Sequence, residues 1–261
     1  MRADQLLVER GLAASRSQAQ RLIAAGVEWE AGGRWQRVAK NGDELPAHAP
    51  LRLLDDAEAR WVSRGGLKLD GALARTGLDV TGRVCLDVGQ STGGFTEVLL
   101  ARGAARVVGF DVGHGQLHDK LRGDARVVPL EGLHLRELAG SELAAHAPEG
   151  GFDLVVADLS FISLAANLAH LAPWLKAGGD ALLLVKPQFE VGPQHVGKGG
   201  IVKDPAQYAR VEAAVREACA ALRWTVRDWF ESTIAGGGRG NTEGNTEYFV
   251  WAQDPAKGPS P

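Results

Sequence analysis

Two cysteines in 261 residues are too few for a disulfide framework. Cys85 and Cys219 each sit inside an apolar pattern and read as reduced, buried and structural, the usage of a cytoplasmic protein. Long apolar runs are missing as well. No stretch approaches the ~20 residues that a membrane span needs. The opening Met1-Arg2-Ala3-Asp4 leads into a short amphipathic pattern, not the unbroken apolar core of a secretory signal. The net charge of -3 carries no global nucleic-acid signature. Metal-ligand spacing is also missing. Among seven histidines only His114 and His118 stand at i, i+4, and with no cysteine or clustered acid beside them they read as a surface pair. The expectation is a cytoplasmic globular protein that needs no metal and no membrane.

What is there centres on Val84–Glu97, V-C-L-D-V-G-Q-S-T-G-G-F-T-E. A buried strand that breaks into a glycine-rich turn and opens a helix is how doubly wound α/β domains build a nucleotide or cofactor site. The spacing is neither G-x-G-x-x-G nor the phosphate loop, and Phe95 stands where that loop would place lysine. The turn therefore suits a ligand held by close backbone contacts and not by its negative charge. Asp111 ends the following strand, where such folds place an acid that grips two ribose hydroxyls.

From Val84 onward strands and helices alternate. Strands are expected at Val84–Val88, Arg106–Phe110, Ala125–Leu130, Asp153–Ala157, Ala181–Val185, Thr225–Phe230 and Tyr248–Ala252. Helices are expected at Thr96–Arg102, Gln116–Leu121, Ser163–Leu175 and Pro205–Leu222. In the last, Asp204 can cap, Pro205 suits the first position, and Val211, Val215 and Cys219 repeat at helical spacing. The pattern predicts an α/β, Rossmann-like fold: a mostly parallel seven-stranded sheet, covered on both faces, whose last two strands form an antiparallel hairpin. Residues just past the strand ends converge on one crevice. Asp158 and Lys186 should therefore meet above the same edge as Gly89, and Glu247-Tyr248-Phe249 opens the last strand. A helix carrying Leu69, Ala72 and Leu73 on one face precedes the sheet and contains Lys68.

The first 54 residues differ in character. They hold eight basic and six acidic side chains, a net of +2, whereas the remainder carries a net of -5. Ser15-Arg16-Ser17-Gln18 is a capping-box pattern, and Val27–Trp29 and Trp35–Val38 read as a hairpin around Gly32-Gly33. Two small helices and a hairpin form a small α+β unit. The boundaries read 1–54 for this head, 55–62 for a linker, 63–253 for the α/β domain and 254–261 for a disordered Pro/Gly-rich tail.

Two resemblances follow. Arg2, Asp4, Leu6-Leu7, Gly11-Leu12, Ser15-Arg16, Ala19, Leu22-Ile23 and Gly26-Val27 resemble the small RNA-binding domain first described in a small-subunit ribosomal protein. That resemblance implies that Arg2, Arg16 and Arg21, with Arg64 beyond the linker, face RNA. Asp87–Thr96, Ala157–Leu164 and Lys186–Gly192 resemble S-adenosylmethionine-dependent RNA ribose methyltransferases of the RrmJ/FtsJ type. With Val62–Leu69, Val196–Asp204 and Gly244–Phe249 included, residues 1 to 253 resemble the TlyA (haemolysin A) family.

The family's Lys-Asp-Lys-Glu set falls on Lys68, Asp158, Lys186 and Glu247. The sequence G-N-T-E occurs twice, and Glu247 is preferred to Glu243 because an aromatic pair and a strand follow it. The implied cofactor is S-adenosylmethionine, held by Asp87, Gly89, Gln90, Ser91, Thr92, Gly93, Gly94, Phe95, Thr96, Asp111 and Asp158. Gln90 stands where the family usually has alanine, and is expected to crowd or hydrogen-bond the cofactor. The implied reaction methylates a ribose 2′-hydroxyl of ribosomal RNA, at a cytidine of the small subunit, the large subunit or both, with Lys186 taking the proton. Three other readings compete: a non-catalytic RNA- and cofactor-binding module, a membrane-active haemolysin, and a methyltransferase for protein or a small molecule. The basic head and the two-lysine site favour RNA.

Overall fold

The computed structural model describes residues 1–54, 60–236 and 244–255. Most of the expected linker and tail, together with Gly237, Gly238 and Glu243, lies outside the described residues. By its contacts the chain forms two compact units, Met1–Leu67 and Lys68–Pro261.

The first unit is built from α1 (Ala3–Glu9), α2 (Arg16–Gly26), β1 (Val27–Ala31), β2 (Arg34–Arg37) and β3 (Leu51–Leu53). β1 pairs antiparallel with β2 on one side and with β3 on the other, so the expected hairpin is a three-stranded sheet. Its core is Leu6, Leu7, Ala19, Leu22, Ile23 and Val27. Half of the capping box forms: Ser15 Oγ accepts from the Gln18 amide at 3.3 Å. The reciprocal bond does not. Gln18 Oε1 instead accepts from Ala14 N–H, at 2.6 Å, and its Nε2 donates to the Trp61 carbonyl, at 2.9 Å.

In the first turn of α1 stands Asp4, fully buried. Arg2 donates to it through Nε at 3.0 Å and Nη2 at 3.1 Å, Arg16 Nη2 at 2.8 Å, and Gln20 Nε2 at 3.3 Å. The two guanidiniums are therefore not free arms. One carboxylate holds both, and their side chains stay 43% and 53% exposed.

The second unit contains most of α3 (Arg64–Thr76), then β4 (Val84–Val88), α4 (Gly94–Ala101), β5 (Arg106–Asp111), α5 (Asp119–Arg122), β6 (Val127–Glu131), α6 (Leu143–His146) and β7 (Phe152–Ala157). It continues with α7 (Leu164–Leu171), β8 (Leu175–Val185), α8 (Pro187–Glu190), α9 (Pro205–Ala221), β9 (Thr225–Glu231) and β10 (Tyr248–Gln253). The sheet order is β6-β5-β4-β7-β8-β10-β9. All pairings are parallel except those of β10, which runs against both β8 and β9. This is the expected sheet with its closing hairpin.

Strand alternation sorts the side chains. Leu86, Val88, Val108, Phe110, Val155, Ala157, Leu183 and Val185 join Leu164, Leu168, Val211 and Val215 in one apolar cluster. Cys85 and Cys219 are both buried and unpaired, and desolvation pushes their thiols up to about 12 and about 11.

Some elements differ from expectation. The helix expected over Gln116–Leu121 is the single turn Asp119–Arg122, which His118 caps through its ring, so His114 and His118 share no helix face. The helix expected to Leu175 stops at Leu171, because Pro173 turns Ala172–Trp174 into a 3₁₀ segment and β8 starts at once.

The Arg2 hydrogen bond and its companions hold the Asp4 carboxyl well below the usual carboxylate range. Its folded value lies below its unfolded one, so its contribution to stability is complete above about pH 4 and is lost as the pH falls further. Amide-exchange protection at Leu6 and Leu22 should fall in that acid window in the wild type. Asp4→Asn should lower protection at neutral pH and flatten the acid dependence.

Candidate active site

β4 delivers the glycine turn. Gly89 has φ +80, and a Cβ there would lie 2.7 Å from the Asp158 carbonyl oxygen, so two strand ends meet backbone to backbone. The amides of Gly89 and Gln90 both donate to the Phe110 carbonyl at 3.0 Å. Ser91 N–H donates to Asp111 Oδ2 at 2.9 Å, and Gly113 N–H to Asp111 Oδ1 at 2.8 Å. A carboxylate has about four lone-pair sites. Asp111, fixed by two amides, keeps capacity for two further donors such as a vicinal diol.

These residues border an open cavity of about 780 Å³, within the roughly 300–1,000 Å³ usual for small-molecule sites. Gly89, Ser91, Asp111 and Asp158 line it, with Leu133–Glu137 and Leu159–Ile162 on the other walls. Its carboxylates suit a cationic or neutral ligand better than a phosphate.

The remaining turn residues do a different job. Thr92, Gly93, Gly94 and Phe95 lead the chain into α4 and do not line the cavity, and Phe95 stacks on Phe249 with ring centroids 6.3 Å apart. Gln90 is turned inward. Its Nε2 donates to Thr96 Oγ1 at 2.9 Å, and that hydroxyl donates to Asp87 Oδ2 at 2.6 Å. A Cβ on Gly109 of β5 would fall 2.2 Å from Gln90 Nε2. The expected crowding of a ligand by the Gln90 side chain is therefore replaced by packing against the neighbouring strand. Asp87 and Thr96 likewise lie fully buried behind the turn.

The four charged residues singled out from sequence meet as two ion pairs. Lys186 Nζ lies 2.6 Å from Asp158 Oδ1 and donates to Ser160 Oγ at 2.8 Å. Lys68 Nζ, from α3, donates to Glu247 Oε2 at 2.5 Å, and both side chains are buried. Register explains the meeting. Ala157 pairs with Leu183, and Val185 pairs with Tyr248, so Asp158, Lys186 and Glu247 each stand one step outside paired strands. Glu247 is also packed against backbone: a Cβ on Gly236 would lie 1.8 Å from its Oε1. Asn245, two residues earlier, accepts from Val202 N–H at 2.9 Å and donates to the Gly200 carbonyl at 2.7 Å. That ties the Val196–Asp204 motif to the start of β10.

Four arginines of the first unit were singled out from the sequence. Arg2 and Arg16 share Asp4, Arg21 donates to the Ser17 carbonyl on α2, and Arg64 opens α3.

Sequence reasoning missed Phe161. It is 87% exposed, has φ +68, and lies 5.2 Å from the Phe189 ring by centroids, one residue after the Ser160 that Lys186 holds. The available signal was its place three residues after Asp158, just past the end of β7.

A seven-stranded sheet with one antiparallel strand next to its edge, a glycine turn after β4 and an acid after β5 define the Rossmann-like methyltransferase class. An S-adenosylmethionine-dependent methyltransferase structure from Listeria monocytogenes shares this fold at 15% identity, with a TM-score of 0.53, covering 73% of this chain and 98% of that one. The model of the FtsJ-like methyltransferase family matches residues 61–254, and the chain belongs to that family. Among its relatives is the 16S/23S rRNA (cytidine-2′-O)-methyltransferase TlyA of Mycobacterium tuberculosis, 47% identical over 96% of this chain and 88% of the relative. A solved structure from Streptococcus thermophilus, described as a hemolysin, is 36% identical with a TM-score of 0.73, covering 98% of this chain and 88% of that one. Among the described residues no helix is long and apolar enough to cross a membrane.

Burial pushes the Asp87 carboxyl up to about 7. Its folded value exceeds its unfolded one, so stability should fall as the pH rises from about 4 towards 7 and stay at the lower level above. Asp87→Asn keeps an acceptor for Thr96 and cannot ionise. Thermal melts at pH 5 and pH 8 should differ less for this variant than for the wild type.

Proposed function

We propose that this protein transfers a methyl group from S-adenosylmethionine to a ribose 2′-hydroxyl of ribosomal RNA, at a cytidine. The pairing of Lys186 with Asp158 beside that of Lys68 with Glu247 is the observation that carries this reading. Two amines fixed by carboxylates, one of them the Asp158 that lines the ligand-sized cavity, suit deprotonation of a hydroxyl. When bound, the cofactor supplies an electrophilic methyl on a cationic sulfonium. The turn at Gly89 and Ser91 would hold it by backbone approach, Asp111 by its ribose hydroxyls, and Asp158 by charge.

The chain's own tasks are orientation and proton removal. Lys186 Nζ, in its neutral form, takes the proton of the 2′-hydroxyl as that oxygen takes the methyl group, and so becomes the ammonium that pairs with Asp158; Asp158 and Ser160 keep the nitrogen aimed. Lys68 and Glu247 fix the floor beside it. Phe161, exposed next to Ser160, offers a face on which an unstacked base can lie. Residues 1–54 serve as an RNA-binding domain, with Arg2, Arg16, Arg21 and Arg64 meeting phosphate, and residues 63–253 as the methyltransferase domain. The named relative acts on 16S and 23S rRNA, so both subunits are candidate substrates, met in the cytoplasm.

The test is transfer of labelled methyl from S-adenosylmethionine to purified subunits and intact ribosomes from cells lacking the gene, followed by mass mapping. The expected product carries the label on the ribose of a cytidine. No incorporation on any particle overturns the proposal. Lys186→Arg keeps the charge but cannot take the proton, and should lose roughly 10²–10⁴-fold in rate. Substantial transfer by that variant removes Lys186 as the base.

A further inference from the structure

Lys186-Pro187-Gln188-Phe189-Glu190 follows β8, and only its first member has a task so far. Pro187–Glu190 is one helical turn. Phe189 and Glu190 lie on that turn, and Lys186 stands immediately before it in extended backbone. All three touch the same short loop, residues 158–163, between β7 and α7. Lys186 pairs with Asp158 and donates to Ser160. The Phe189 ring meets the Phe161 ring at 5.2 Å. Glu190 Oε2 accepts from Ser163 Oγ at 2.6 Å, and its Oε1 from Leu164 N–H at 2.6 Å.

The loop is thus held at both ends by one short segment, Lys186 at its start and Glu190 at its finish. Its far end is held strongly. Ser163 Oγ also accepts from Ala166 N–H at 3.1 Å, and Asn167 Nδ2 donates to the Ser163 carbonyl at 2.8 Å. Between the two holds stands Phe161, exposed and at φ +68. A phenylalanine keeps a left-handed backbone only where its surroundings impose it. An exposed ring gains little from burial there, so the imposition comes from the ends of the loop.

We infer that Glu190 is a positioning residue for the methyl acceptor: through Ser163 and Leu164 it fixes the loop that presents Phe161 and Ser160, and so sets the acceptor nucleoside against Lys186. This rests on the methyltransferase reading above. A carboxylate that only capped α7 would act on stability alone. A positioning residue acts on turnover and acts through Phe161.

Steady-state methyl transfer to ribosomal subunits from cells lacking the gene separates the two. Glu190→Ala should lower kcat by about tenfold or more, while calorimetric affinity for S-adenosylmethionine stays within about threefold. Glu190→Gln should recover most of the rate, because its carbonyl accepts from Leu164 N–H and its amide donates to Ser163 Oγ. Glu190→Asp, one methylene shorter, should not. The double variant Phe161→Ala/Glu190→Ala should be as slow as Phe161→Ala alone. The inference is overturned by a wild-type rate in Glu190→Ala, by a loss of cofactor affinity in step with kcat, or by losses that multiply in the double variant. If Glu190→Ala does not fold, equal rates for the Gln and Asp variants overturn it. A wild-type chain that binds cofactor but labels no particle removes the function, and this role with it.

Discussion

Strand β10 runs against β8, and its register is the constraint on which the site depends. With Tyr248 opposite Val185, the next residue outward on each strand is Glu247 and Lys186. A slip of one residue would turn Glu247 to the other face of the sheet. In the observed register it reaches Lys68 from α3 and is 2% exposed. A charge buried so deeply is tolerated only when its partner is close and correctly placed. The ion pair and the strand register therefore enforce each other. Gly236 belongs to the same arrangement, since any side chain there would occupy the carboxylate's space. Asn245 extends the order one loop further, by holding residues 200 and 202.

Much of this was legible in the sequence because it is periodic or punctuated. Apolar runs of five or six residues marked the strands, and Asp204-Pro205 marked the start of α9. Asp158 and Lys186 were legible because strand ends in a parallel sheet share one edge, whereas Lys68, on a helix, and Glu247 joined them only through the family resemblance. Other features carry no periodic signal. β3 is three residues long and alternates only once. The inward turn of Gln90 depends on the empty space over Gly109, which lies on another strand. Arg2 and Arg16 are visible as charges, but the buried carboxylate that joins them looks in sequence like any acid in the first turn of a helix. Phe161 stands out only through its backbone angle and exposure, both properties of the folded chain.

The two units use charge in opposite ways. In the site of the second unit, Lys68 and Lys186 each have a carboxylate of their own. Such a site neither attracts a polyanion nor repels a sulfonium at long range, and its selectivity is geometric. In the first, one acid serves two guanidiniums and leaves a net positive charge. Both Arg2 and Arg16 are restrained before any ligand arrives. Restraint of that kind lowers the entropy that two long side chains must lose on binding phosphate.

The inward glutamine has a consequence for how this sequence can change. Gln90 fills the space that a side chain at position 109 would need, with its amide nitrogen 2.2 Å from that missing Cβ. The two positions are a plug and its socket. Alanine at 109 requires the Gln90 amide to move aside and give up its bond to Thr96. Shortening residue 90 first leaves a gap that a small side chain at 109 can then occupy. The two orders of change therefore differ in what they disturb: altering 109 first displaces the Gln90–Thr96 bond, and shortening residue 90 first leaves a hollow behind the cofactor turn.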